Sequence, residues 1–362
     1  MVEELPKKSN KFEVDVLIVG QGIAGSVLAL TLIKQGKKIG MISNTHLSNS
    51  SKIAAGIWNP IVFKRLTHSW MANELLPTLV EFYSWAENLL HKEFLQKRFI
   101  IKDLSNPQEE QFWKNKTLEN SGYLDATVYD NFELDECSHL KKYSRVLKAG
   151  NINLPVFLNA TQEHIERHEL FLNETFNYEL LANYQEAVTY KNITAKQIVF
   201  CEGHLVKHNP FFNYIPLKSA KGEILTIHAP HFKWQHDIVN KGLFILPIGD
   251  HHYRIGATYE WNELTDAPTD IRKKELCDKL EKIITSKYTI IKHDAGVRPS
   301  SIDRRPIIGA HPFINNYFVF NGLGTKGVML APYFATKISS TLFNNEGLDD
   351  EVNVKRFNHY YK

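Results

Sequence analysis

A short β-branched run, Val14-Asp15-Val16-Leu17-Ile18-Val19, passes directly into Gly20-Gln21-Gly22-Ile23-Ala24-Gly25. This junction limits the possible folds more than any other segment. The run suits a buried parallel strand. Ser26 to Gln35 follow with apolar residues at helical spacing, and Gly36 stands where a helix ends. Lys38 to Ser43 then reads as a second strand, completing a βαβ unit. In such a unit Gly20 permits the tight turn, Gly22 lets backbone approach a diphosphate, and Gly25 allows close helix–strand packing. The N–H groups at the helix start, around Gly22, Ile23 and Ala24, would face the phosphates with partial positive charge. Glycines serving only a turn are the plainer alternative, and the flanking strand and helix argue against it.

The second strand of a nicotinamide-binding unit ends in an acid that grips the adenosine ribose. Here the position holds Ser43, followed by Asn44. Both can hydrogen-bond a ribose but neither adds charge, which weakens an NAD reading and leaves FAD open. No arginine stands there to meet a 2′-phosphate. Ser51, Lys52, Ala54, Ala55 and Gly56 follow within a run of small residues. Either the backbone passes close to a cofactor, with Ser51 and Lys52 on its phosphates, or this is a tight loop beneath a domain interface.

With 362 residues, 43% hydrophobic and 23% charged, the chain suits about two globular domains. A net charge of +3 gives no nucleic-acid footprint. Cys137, Cys201 and Cys277 are widely spaced with no CxxC pair, which favours a reducing, cytoplasmic setting. Met1 to Lys11 is polar with no apolar stretch behind it, and the run Val14 to Leu32 is broken by glycines, so neither a secretory leader nor a membrane span is expected. His251 and His252 are adjacent, and His164 and His168 lack a third ligand, so no metal is expected.

Further along, His68 to His91 and Asp270 to Ser286 have helical patterning, while Leu170 to Val188 alternates like a meander. Strand-like runs between Ile215 and Tyr259 suggest an antiparallel sheet, and Asp103 to Glu136 is hard to place. Tyr317 to Asn321 reads as a late strand entering a glycine-rich turn and a helix near Val328. Dinucleotide-type elements at both ends imply an α/β, Rossmann-like cofactor domain made of separate segments, 12–65, 140–214 and 293–362. An α+β substrate domain, 66–139 and 215–292, is inserted into it on an antiparallel sheet.

Four segments together resemble the D-amino-acid oxidase and glycine oxidase family of FAD-dependent oxidoreductases. They are the glycine fingerprint, Ala54-Ala55-Gly56, Tyr253 to Glu260, and the run from Ala295 to Pro332. That last run contains Ala295-Gly296-Val297-Arg298-Pro299, Asp303 to Gly309, and Asn321-Gly322-Leu323-Gly324-Thr325-Lys326-Gly327. It is also similar to the oxidase domain of a bacterial enzyme that modifies a wobble uridine in tRNA. The resemblance implies non-covalent FAD, with Gly322, Gly324, Thr325, Lys326 and Gly327 facing the flavin pyrimidine edge and Cys201, Glu202 and Gly203 beside the adenosine. Arg298 would clamp a substrate carboxylate, or else serve as a structural ion-pair partner. Arg254 would stand near flavin N5 as a cation, or else be a solvated strand arginine; Glu202 is open to reading as a surface charge. The implied reaction oxidises the C–N bond of a small amine or amino acid by hydride transfer to N5, with oxygen or another acceptor completing the cycle. A tRNA-modifying flavoenzyme and a flavin-binding protein without turnover are the alternatives. Trp58, Trp261, Tyr253 and His68 are candidates to line the substrate pocket, with core packing the plainer reading of each.

Overall fold

The computed structural model describes residues 11–47, 49–120, 122–130, 140–184 and 186–361. The opening run forms the strand Phe12–Val19, with Val16, Leu17 and Ile18 fully buried. It lies mid-sheet. Parallel strands Leu170–Leu172, Ile39–Ile42, Phe12–Val19, Ile193–Phe200 and Tyr317–Asn321 stand side by side in that order. Ile307–Ala310 adds an antiparallel edge, and the hairpin Leu181–Tyr184/Ala187–Tyr190 continues from the first half of Ile193–Phe200. Each fully buried Ile, Leu or Val contributes roughly 1.5–3 kcal/mol.

The helix Ile23–Lys34 is apolar nearly all round, with Ala24 to Leu32 all buried. A helix of that kind belongs in a core rather than at a surface. It packs against the helices Leu154–His168 and Gly327–Asn344. The order of the parallel strands is that of a Rossmann sheet, in which ligands bind at the carboxyl ends of the central strands.

A second, nine-stranded sheet is mostly antiparallel. Its order is Thr289–Arg298, Ala220–His228, His252–Gly256, Phe244–Gly249, Ile238–Asn240, Leu95–Asp103, Lys142–Ile152 and Ile57–Trp58, with Tyr129–Asp130 beside Lys142–Ile152. The sheet expected between Ile215 and Tyr259 is therefore present, but it reaches beyond the segment boundaries drawn from sequence. Lys142–Ile152 lies within it, although 140–214 was allotted to the cofactor domain. Partial alternation of burial along this strand fits a half-covered antiparallel neighbour. Thr289–Arg298 straddles the expected boundary at 292/293 and carries its last residue to the interface of the two sheets.

Other elements differ at their ends. The helix expected from His68 starts at Ala72, because Thr67–His68 pairs with Ile61–Val62 and Met71 takes a left-handed φ of 53°. The helix expected to Ser286 closes at Leu280, capped at its start by Thr269. Part of Asp103 to Glu136 becomes the helix Pro107–Thr117, while the end of that stretch, together with Cys137, lies outside the described residues. No described helix is long and apolar enough to cross a membrane.

Candidate active site

The fingerprint turn is locked by close approach. Gly20 has φ +101°, and a Cβ there would lie 2.6 Å from Cys201 O. A Cβ on Gly25 would lie 1.9 Å from Gly20 O, so the helix can meet the strand only through glycine. Side chains from neighbouring segments finish the turn. Ser43 Oγ accepts from Gln21 N at 3.2 Å, and Ser51 Oγ accepts from Ile23 N at 3.0 Å.

Gly22, Ile23 and Ala24 line a cavity of about 790 Å³ that runs between the two sheets. The helix they open has no acid in its first turn, and its N-cap residue, Gly22, supplies no side chain of its own. A second helix, Gly327–Asn344, starts against the first: a Cβ on Gly327 would lie 2.9 Å from Ile23 Cγ2. Two long helices thus present their N-termini to one cavity, and both macrodipoles favour negative charge there.

At one end the cavity is bounded by Ser43, Asn44, Glu174, Thr175, Tyr178 and the run Cys201 to His204. Asn44 Nδ2 donates to Thr175 Oγ1 at 2.9 Å. Glu202 is not the surface charge allowed by the sequence. Its carboxylate accepts from the Tyr178 hydroxyl, and from Asn209 Nδ2 at 2.7 Å. Burial pushes its carboxyl above the ordinary range, and these two hydrogen bonds partly offset that. The Cys201 thiol is buried, which raises its pKa well above the usual value and disfavours the thiolate.

Across the middle run Ala54, Ala55 and Gly56 on one side and Leu323, Gly324, Thr325, Gly327 and Val328 on the other. Gly322 is not part of the lining. It shapes the turn from behind with φ +73°, and its N–H donates to Asn321 Oδ1 at 2.8 Å. Lys326 also points away from the lining. Its Nζ donates to Ser69 Oγ at 2.8 Å, and burial pulls its pKa down, with Arg305 adding to the effect.

At the far end stand Phe63, Ile100, Ile224, Ile238, Asn240, Leu243, Phe244, Tyr259 and Arg298. Arg298 Nη1 donates to the Lys221 and Thr258 carbonyls and Nη2 to Thr258, all at 3.3 Å. Its Cζ sits 4.4 Å from the centroid of the Tyr259 ring. Burial lowers its pKa, Tyr259 opposes that, and among the described residues no carboxylate pairs with it. Lys221, one strand away, makes the contrast. Its buried ammonium is 3.5 Å from Glu223 and 3.1 Å from Glu263. The buried cation is neutralised by the protein, and the half-buried one is left facing the cavity.

Two expected site residues lie elsewhere. Arg254 donates to the Ala54 carbonyl at 2.9 Å and to the Ile53 carbonyl, and Lys52 Nζ donates to Thr45 O at 3.0 Å. Both border a separate cavity of about 270 Å³ behind the Ala54–Gly56 segment. The pocket candidates divide similarly: Trp58 and Tyr253 are core residues, His68 packs edge-on against Tyr123, and Trp261 is exposed. His164 and His168 have adjacent rings on one helix, and among the described residues no group of three or more potential ligands could hold a metal.

Sequence reasoning missed Gly222, Glu174, Thr175 and Tyr178. Only Gly222 left a signal, as a glycine inside a strand, which often marks a close approach.

The fold and cavity define a two-sheet dinucleotide-binding protein with an arginine at one end of the cavity. A long cavity, a glycine cradle and two helix N-termini fit FAD. The chain belongs to the DAO family of FAD dependent oxidoreductases, whose profile matches residues 15–340. It is 21% identical over 371 residues to glycine oxidase from Bacillus subtilis, covering 94% of this chain and 96% of that one. It is also 29% identical over 311 residues to the tRNA 5-methylaminomethyl-2-thiouridine biosynthesis bifunctional protein MnmC of Campylobacter concisus. That match covers 81% of this chain but 46% of the relative, so the chain spans about half the bifunctional protein. Among solved structures, glycine oxidase from Geobacillus kaustophilus superposes with TM-score 0.76 at 18% identity, covering 94% of this chain and 97% of that one.

Proposed function

We propose that this flavoprotein oxidises the C–N bond of an amine that carries a carboxylate, an amino acid or an N-substituted glycine. The observation behind this reading is Arg298, a half-buried guanidinium at the cavity end with carbonyls and a ring around it but, among the described residues, no acid paired with it. A planar fork of donors suits a carboxylate bound through both oxygens. Holding that group fixes the neighbouring α-carbon, so the reacting bond is presented in one orientation.

FAD, when bound, accepts the two electrons released from the C–N bond. The protein's share is positioning. The small residues Ala54, Ala55 and Gly56, with Gly324 opposite, leave room for a flat ring system between them. Phe63, Ile224, Ile238 and Phe244 give the chamber beside Arg298 apolar walls that keep water from the reacting carbon. The only acids in the described lining are Glu174 and Glu202, both at the opposite end. No acid therefore meets the substrate nitrogen, which favours its neutral, reactive form. The product imine then hydrolyses in water.

Anaerobic bleaching of the holoenzyme tests this. Glycine, sarcosine, alanine and proline are compared with amines lacking the carboxylate and with hydroxy acids lacking the nitrogen. Reduction by members of the first group alone is expected. Reduction by hydroxy acids alone overturns the reading.

A second reading rests on the 29% identity to the Campylobacter protein. The same chemistry would then act on a modified uridine of tRNA. Flavin reduction by undermodified tRNA, with none by free amino acids, would favour it.

A further inference from the structure

We propose that the substrate carries a planar aromatic group, which rests on Tyr259 and Trp261 at the cavity mouth while its carboxylate is on Arg298. This rests on the carboxylated-amine reading above and names the kind of molecule the site takes.

Two contacts join three residues into one continuous path. Arg298 Cζ lies 4.4 Å from the Tyr259 ring centroid, and the Tyr259 and Trp261 rings are 6.0 Å apart at an angle of 27°. Tyr259 lines the cavity, and Trp261 continues its aromatic surface outward. The two side chains are 48% and 56% exposed, whereas Trp58 is 2% exposed. An indole held in water loses the burial that would otherwise stabilise it.

The backbone beneath these rings is fixed. Lys221 N donates to Glu260 O at 2.8 Å, and Glu260 N returns to Lys221 O at 3.0 Å. The Glu260 carboxylate accepts from Trp261 N and Asn262 N, both at 2.8 Å, and is held by Arg272. Tyr259 and Trp261 therefore flank Glu260, which bridges this segment to the second sheet. Tyr259 is in the cavity lining and Trp261 just outside it, so a molecule anchored on Arg298 that extends along Tyr259 reaches Trp261. Near-parallel rings gain most from a flat partner with a π face.

The test compares matched substrate pairs on the holoenzyme: N-benzylglycine against sarcosine, and phenylalanine against alanine. The aryl member of at least one pair is expected to have kcat/KM about 10-fold higher or more, the scale of one stacking contact. Trp261→Ala should lower kcat/KM for the aryl compound about 10-fold more than for its methyl partner, and Trp261→Phe should restore most of that selectivity. FAD content, read from the visible spectrum, reports whether each variant is intact. Turnover of sarcosine or alanine with no aryl advantage, or an equal fall for both members in Trp261→Ala, overturns the inference and leaves the amine reading standing. Failure of all four compounds, and of glycine and proline with them, to reduce the flavin overturns both; failure of the four with reduction by glycine or proline overturns the inference alone.

Discussion

Gly222 and Arg298 are fitted to one another: a Cβ on Gly222 would lie 1.9 Å from Arg298 Nη2. The two belong to neighbouring strands, Ala220–His228 and Thr289–Arg298, so the missing side chain on one makes the seat for the guanidinium on the other. The position of the proposed carboxylate anchor is thus set by a residue with no chemistry of its own.

Gly222→Ala should therefore displace Arg298 while leaving the diphosphate cradle in place. A displacement of about 1 Å predicts a loss in kcat/KM of about 100-fold. Steady-state kinetics at matched FAD occupancy check it, and activity near wild type would show that the guanidinium does not need this seat.

Gly25→Ala acts instead at the fingerprint turn. The added Cβ meets Gly20 O at 1.9 Å, and backbone must move to relieve it. Overpacking of this kind costs about 1–3 kcal/mol, and here it also disturbs the helix start that faces the phosphates. Thermal melting with and without added FAD should show a lower Tm and a smaller gain on adding the cofactor.

Arg254 separates two roles. As a clamp on the Ile53 and Ala54 carbonyls it orders the loop that lines the cavity. Arg254→Met is then expected to raise the FAD Kd about 10-fold, the loss of roughly one charged hydrogen bond, with reoxidation of bound flavin little changed. Slower reoxidation at unchanged Kd would instead assign it the oxygen-facing role implied by the family resemblance.

Glu202 supplies a pH dependence. Its folded pKa is raised, mainly by burial, so its native state holds a proton more tightly than the unfolded chain does. The corresponding stability is present below the ordinary glutamate range and is lost as pH rises through the raised value. Glu202→Gln removes this titration. The Tm of the variant minus that of wild type should therefore increase with pH across that window, while the other carboxylates cancel in the difference. A pH-independent difference would show that the buried carboxyl does not titrate there.

The parts of this fold that were legible in sequence have short-range causes. Gly20, Gly22 and Gly25 sit between a β-branched run and a helix, and Gly25 is required by its approach to Gly20 O within the same turn, whereas the atoms nearest Gly20 and Gly22 come from Cys201 and Ser51, which the local pattern does not show. The sheet that Lys142–Ile152 joins is not legible locally, because its long partner Leu95–Asp103 and the short Ile57–Trp58 are distant in the chain, and alternation alone does not say which sheet a strand joins. Arg254 and Lys52 show the same limit at side-chain level. Their positions along the chain place them near the cofactor loop, but the side they take depends on carbonyls of Ile53, Ala54 and Thr45 that only the folded loop exposes. Arg298 stood out through family likeness, whereas its lack of an acidic partner needed the three-dimensional arrangement.

The central claim is that Arg298 holds the substrate carboxylate, and anaerobic flavin reduction by Arg298→Ala tests it most directly. With FAD content equal to wild type, the variant should need about 100-fold more carboxylated amine to reach the same reduction rate, the scale of a lost charge-assisted pair, and should no longer prefer it over the amine without a carboxylate. Reduction at the wild-type rate and concentration, with that preference intact, would contradict the account.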